Sequence, residues 1–119
     1  VCVIGDLNGR TRDRRADKKL HPLRFSLDTT VNTQGRAILR IAADHGLRIL
    51  NGDSRFGNGS WGWTFTQIPK GKLCRSVIDY ALCDLPACAM VENFEACNVN
   101  DEWSDHAPLI LRMCIPDTT

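Results

Sequence analysis

A chain of 119 residues is long enough for one domain with its own core and too short for two. Hydrophobic residues at 43% and charged residues at 24% exclude a disordered segment or a coiled coil, and a net charge of +1 by itself points to no partner. No apolar run approaches the roughly 18 residues needed to cross a bilayer, and no signal-peptide pattern is present, so we expect an intracellular protein without a membrane partner, the nucleus being one compartment open to it.

Val1-Cys2-Val3-Ile4 reads as a buried strand ending at Gly5-Asp6. Because the chain opens in mid-strand without an initiating Met, we expect an upstream segment and an unsatisfied sheet edge on the Val1 side. A polar stretch follows from Leu7 to about Val31, too long for a simple connection and of the kind that often carries function. Arg10, Arg12, Arg14, Arg15, Lys18 and Lys19 crowd into it, broken by Asp13 and Asp17. A phosphate-contacting loop and a solvated loop with internal charge pairs are equally compatible with that composition.

Asn32 is placed as a helix N-cap; Ala37, Ile38, Ile41, Ala42 and His45 follow at helical spacing, and Gly46 supplies the stop. Leu47 to Leu50 is a short strand and Asn51 to Gly62 is turn-rich. Trp63 to Ile68 alternates as a strand, with Pro69-Lys70-Gly71-Lys72 as its turn. Ser76 to Cys83, Met90 to Ala96 and Ala107 to Ile115 complete the series. Several strands joined by short turns after one main helix predict an α+β chain, mostly antiparallel, with helical cover on one face or as one half of a sheet sandwich.

The six cysteines, Cys2, Cys74, Cys83, Cys88, Cys97 and Cys114, form no C-x-x-C pair, which argues against a zinc finger or a thioredoxin-type site. Cys2, Cys83 and Cys114 lie in apolar strand-like runs and are expected as buried, reduced thiols. His21 reads as a loop residue and His45 as a helix-end residue complementing the dipole. Trp61 and Trp63 read as a packing corner rather than a base-stacking platform, and Lys70, Lys72 and Arg75 suit a solvated hairpin turn as well as a phosphate contact.

Three segments set carboxylates, an amide and a histidine at strand ends: Gly5-Asp6-Leu7-Asn8, Ser76-Val77-Ile78-Asp79-Tyr80 and Ser104-Asp105-His106. Alternation places Val77, Asp79 and Ala81 on one face and Ile78, Tyr80 and Leu82 on the other. A carboxylate on a partly buried face needs a partner, and a histidine is a good one because the pair stays hydrogen-bonded while an imidazole titrates. His106, at the start of the next apolar strand but one, is expected to reach Asp79.

In that order, with Ser104-Asp105-His106-Ala107-Pro108-Leu109 close to the end of the chain, these motifs resemble the endonuclease/exonuclease/phosphatase superfamily from one end of the chain to the other. The helix, then Leu47-Arg48-Ile49-Leu50-Asn51-Gly52 and Trp63-Thr64-Phe65, looks most like the endonuclease domains of non-LTR retrotransposons. The resemblance implies the C-terminal half of a four-layered α/β/β/α sandwich, with residues 1–119 as a single partial domain whose N-terminal half is missing. It implies that Asp6 orients or activates the attacking water, Asn8 bonds the scissile phosphate, Asp79 orients the catalytic His106, and Asp105 lies on the metal side. Leu7 stands where phenylalanine is more usual.

The cofactor implied is Mg²⁺ (or Mn²⁺), a hard cation held by one or two carboxylates that acts as Lewis acid and template for phosphodiester hydrolysis. The partner implied is nucleic acid, DNA first, and the reaction is nicking by the complete protein. The upstream half would bring the metal-binding glutamate, so the fragment alone is expected to be inactive; Glu92, Glu95 and Glu102 read as surface residues. A noncatalytic retroelement remnant or nucleic-acid-binding module, and a small-molecule phosphoesterase, stay open on sequence, as does a reverse transcriptase downstream of Thr119.

Overall fold

The computed structural model describes residues 1–97 and 105–116. Ser104, Glu102 and Thr119 lie outside the described residues. The elements are strand β1 (Cys2–Asp6), helix α1 (Thr33–Asp44), strands β2 (Arg48–Ile49), β3 (Phe65–Gln67), β4 (Cys74–Ser76) and β5 (Asp79–Cys83), helix α2 (Leu85–Met90), and strands β6 (Val91–Ala96) and β7 (Leu109–Met113). Among the described residues the strands form three small sheets, ordered β1-β5-β2, β3-β4 and β6-β7, and every pairing is antiparallel. The molecule is thus α+β, as its strand-rich pattern after one main helix implies.

Helix α1 begins where Asn32 takes the Gly35 N–H on its side-chain oxygen at 2.8 Å, and it ends at Gly46, whose φ of +63° suits a residue without a Cβ. Ile38 and Ala42 on its inner face pack on Leu47, Ile49, Val77, Tyr80 and Leu82. A second cluster, Leu50, Ala81, Cys83, Ala87, Cys88, Val91 and Phe94, lies under α2 and the β6-β7 hairpin. Tyr80 and Leu82 of β5 belong to the first cluster, and Ala81 and Cys83 to the second. β5 is therefore covered on both faces, and each fully buried large side chain contributes about 1.5–3 kcal/mol of transfer free energy.

Several sequence-based expectations need correction. β1 is a strand but not a buried one: Val1, Val3 and Ile4 are exposed, because β1 sits at the end of its sheet with β5 as its one strand neighbour among the described residues. The run from Ser76 to Cys83 is two strands, not one. At the break, the Asp28 carboxylate accepts the Val77 N–H at 3.0 Å, and the Thr64 hydroxyl oxygen accepts those of Ile78 and Asp79 at 2.8 and 3.0 Å. Side chains replace ladder partners there, and Val77 joins Tyr80 and Leu82 instead of alternating with them. Helix α2 has no counterpart in the alternation reading; Asp84 caps it by accepting the Ala87 N–H at 3.0 Å, and a proline sits in its first turn.

The stretch from Leu7 to Val31 does lack regular structure, but it is not simply solvated, since Thr11, Arg24 and Asp28 are buried. It packs so closely that a Cβ on Gly35 of α1 would lie 1.8 Å from the Arg10 carbonyl oxygen. Of the cysteines, Cys83 and Cys88 are buried, while Cys2, Cys74 and Cys114 are exposed. The apolar runs around Cys2 and Cys114 belong to strands whose second face or edge is uncovered.

Candidate active site

The site forms where β1 and β5 end together. Their register pairs Asp6 with Asp79. Leu7 N–H donates to the Ile78 carbonyl at 3.0 Å and Asp84 N–H to the Val1 carbonyl at 3.1 Å, which makes the odd-numbered residues of β1 the hydrogen-bonded ones. Asp6 and Asp79 are thus a non-hydrogen-bonded pair, the closer of the two cross-strand arrangements, with both carboxylates on one face. Two like charges directly opposite are unfavourable, and a hydrogen-bonding group between them offsets this.

His106 occupies that position. Its Nδ1 lies 2.9 and 3.1 Å from the two Asp79 carboxylate oxygens, and its Nε2 lies 3.9 Å from Oδ2 of Asp6. Asp79, Asp6 and His106 each present a ligand-type atom within 4.8 Å of the others. Bound at Nδ1 by an acceptor-only carboxylate, the imidazole turns Nε2 toward Asp6 and solvent.

His106 is positioned by β3. The segment Asp105-His106-Ala107 runs along β3's second edge, with Thr66 N–H donating to Asp105 O and Ala107 N–H to Thr64 O, both at 2.8 Å. The Phe65 ring packs on the imidazole with centroids 4.9 Å apart. Thr64 is fully buried; its hydroxyl holds the Asp79 strand while its carbonyl holds the His106 segment, so one residue fixes both members of the pair.

Asn51 works on β5 from the other side. Its side chain donates to the Asp79 carbonyl at 2.9 Å and accepts the Ala81 N–H at 3.1 Å, imitating a ladder partner beyond the end of β2. Behind these lies a buried polar layer. The Tyr80 hydroxyl, at 2.7 Å from Gly9 O and 2.9 Å from Val77 O, accepts the Thr11 N–H at 3.2 Å. Burial raises the Tyr80 hydroxyl above its ordinary pKa.

Arg24 donates to Asn51 O at 2.7 Å, to the Thr11 hydroxyl at 3.3 Å and to Arg14 O; burial lowers its guanidinium to about 10. Asp28 receives a bidentate Arg10, both contacts at 2.8 Å. Burial pushes the Asp28 carboxyl up, but Arg10 and the Val77 and Thr30 amides outweigh it and hold it below the usual carboxylate range.

Asp6 and Asn8 stand on the exposed side. Asn8 N–H donates to Oδ1 of Asp6 at 2.9 Å and to Ile78 O at 3.2 Å, and Asn8 takes a left-handed φ of +55°, a conformation asparagine tolerates better than most residues. Asp105 is also exposed; it neighbours His106 in sequence but lies outside the three-residue group. Thr64, Asn51 and Asp28 were missed as supports by sequence reasoning, because nothing local marks a short polar residue as buried. Trp61 packs on Phe25 with centroids 4.3 Å apart and Trp63 packs against the first core cluster. The basic stretch is partly spent internally: Arg15 donates to the Lys18 and His21 carbonyls.

A solved structure shares this fold. The endonuclease domain of TRAS1, a telomere-specific non-LTR retrotransposon, matches 98% of this chain with a TM-score of 0.68 at 19% sequence identity. The chain shares the fold of that endonuclease domain. It covers 44% of the TRAS1 domain, so it spans less than half of that structure's length. No family model matches the chain, and no curated protein sequence does. No helix among the described residues is long and apolar enough to cross a membrane.

Proposed function

We propose that this chain is part of a metal-dependent phosphodiesterase that nicks DNA in its complete form. The observation that carries the reading is the group Asp6, Asp79 and His106, built from three separate segments and converging within 4.8 Å. The TRAS1 likeness supports a nuclease setting and nucleic acid as the substrate class.

The residues fit a hard divalent cation. Asp79 is committed to His106, whereas Asp6 is about half exposed and keeps Oδ2 directed at the site; exposed Asp105 adjoins His106 in the chain. Asp6, with Asp105 and carboxylates from the upstream half, would hold Mg²⁺ or Mn²⁺, which when bound supplies charge neutralisation at the phosphoryl oxygens.

The chain's own groups account for the rest. Asp6 orients the attacking water through its free oxygen. Asn8, exposed beside it, donates its amide to a non-bridging phosphate oxygen. Protonated at both nitrogens, His106 donates from Nε2 to the phosphate, while Asp79 holds Nδ1 and fixes the ring. Arg12, Arg14, Lys18 and Lys19 lie on the same stretch as Asn8 and suit the backbone of a nucleic acid.

The test is plasmid nicking with Mg²⁺ by three proteins: this chain, the version extended upstream, and the extended version carrying His106→Ala. Nicking by the extended parent alone is expected; folded proteins none of which nicks would remove the nuclease reading.

A further inference from the structure

The face that carries Asp6 and Asp79 also carries a second matched pair. Cys2 and Cys83 are register partners in the β1-β5 ladder, four residues from the carboxylates, and their sulfurs are 3.4 Å apart with the Cys83 thiol donating to the Cys2 sulfur. Being even-numbered in β1, Cys2 also belongs to a non-hydrogen-bonded pair, whose Cα atoms lie about 4.5 Å apart, inside the roughly 4.4–6.8 Å that disulfides span. Closing the bond to about 2.05 Å needs a side-chain adjustment and no strand movement.

We propose that Cys2 and Cys83 are a reversible disulfide site, oxidised by exchange with a small-molecule disulfide of the glutathione type, that staples β1 to β5. Cys2 is exposed and reacts first: its thiolate attacks one sulfur of the small disulfide, forming a mixed disulfide and releasing a thiolate that takes up the proton Cys2 lost. The buried Cys83 thiol then gives its proton to solvent, and its sulfur attacks Sγ of Cys2, breaking the mixed bond and releasing the second thiol. One small disulfide is reduced to two thiols as two cysteines become one cystine.

Burial and the adjoining Cys2 raise the Cys83 thiol above its ordinary pKa, consistent with its acting second. Cys88 also neighbours Cys83, its thiol bonded to the Cys83 carbonyl at 3.5 Å and its side chain interacting with that of Cys83, so it is the competing partner. The register-matched Cys2, with its sulfur 3.4 Å away, is favoured because cross-strand partners need no backbone movement to close. The staple matters because β1 has a strand neighbour on one side only among the described residues, and its 81-residue span fixes the register that opposes Asp6 and Asp79. It does not depend on the nuclease reading.

The full chain is equilibrated in glutathione buffers from reduced to oxidised, quenched by alkylation and mapped by peptide mass, with amide exchange followed in parallel. A single cross-link joining Cys2 to Cys83 is expected, reversed by excess thiol, absent in Cys2→Ser and retained in Cys88→Ser. Exchange of the Leu7 amide is expected to slow about tenfold on oxidation. Pairing of Cys83 with Cys88, indiscriminate oxidation of all six cysteines, or no cross-link overturns the site. A cross-link that leaves Leu7 exchange unchanged overturns the staple.

Discussion

The two sides of the site are built differently. Asp79 and His106 sit on backbone held from several directions: Thr64 and Asn51 grip the Asp79 strand, and Thr64, Phe65 and Thr66 grip the His106 segment. Asp6 ends a strand that has one strand neighbour among the described residues, Asn8 follows two residues on, and both stand in solvent. In the proposed reaction, a group that presents one nitrogen at a fixed angle gains from over-determination, because a small tilt misdirects its proton. In the same proposal, a carboxylate that exchanges water for a cation or phosphate gains from access.

The largest expected effect tests the gripped side by removing its working group. His106→Ala in the complete protein should cut nicking about 10²- to 10⁴-fold, with a stability loss of about 1–3 kcal/mol because Asp79 loses its partner. Asn8→Ala on the open side should cost about 10²- to 10³-fold; an equal or greater loss there would reverse the comparison.

Next is the support behind the break between β4 and β5. Asp28→Asn removes the bidentate Arg10 contact and should destabilise the fold by about 3 kcal/mol in urea unfolding, less than a fully buried pair because Arg10 is about a third exposed. The pH dependence has a definite sign. The folded Asp28 carboxyl titrates below its unfolded value, so its contribution is full above about pH 4 and is lost as pH falls through the folded value. The parent should lose stability across that acid window, and Asp28→Asn should lack that portion of the loss.

Thr64→Val keeps the shape and removes the acceptor for two buried amides, Ile78 and Asp79. We expect about 2 kcal/mol of destabilisation, together with lower nicking activity at unchanged substrate affinity. The smallest effect is on the open edge: Val3→Thr should change stability by less than ~0.5 kcal/mol, since Val3 is exposed. A cost above 1 kcal/mol would mean that β1 is covered in solution.

Much of this was legible from residues alone. Helix α1 carried its cap, its apolar spacing and its stop within one segment, and the β3-β4 hairpin carried its Pro-Lys-Gly turn, because local rules act over a few residues. The three motifs named the residues that converge. Other features were illegible for a common reason. Whether the apolar run of β1 is covered, whether Ser76 to Cys83 is one strand or two, and whether a polar stretch is solvated depend on partners tens of residues away.

The sequence by itself determined helix α1, the β3-β4 turn, the α+β class and the identities of Asp6, Asp79 and His106 as residues able to do acid, base and metal chemistry. Tertiary structure alone decided that Asp6 and Asp79 stand opposite each other, that β3 delivers His106 between them, and that Thr64, Asn51 and Asp28 are buried supports. The physical reason is that cross-strand register and burial are properties of pairs of segments. Asp28 accepts the amide of Val77 across 49 residues of chain, and nothing in either neighbourhood announces the other.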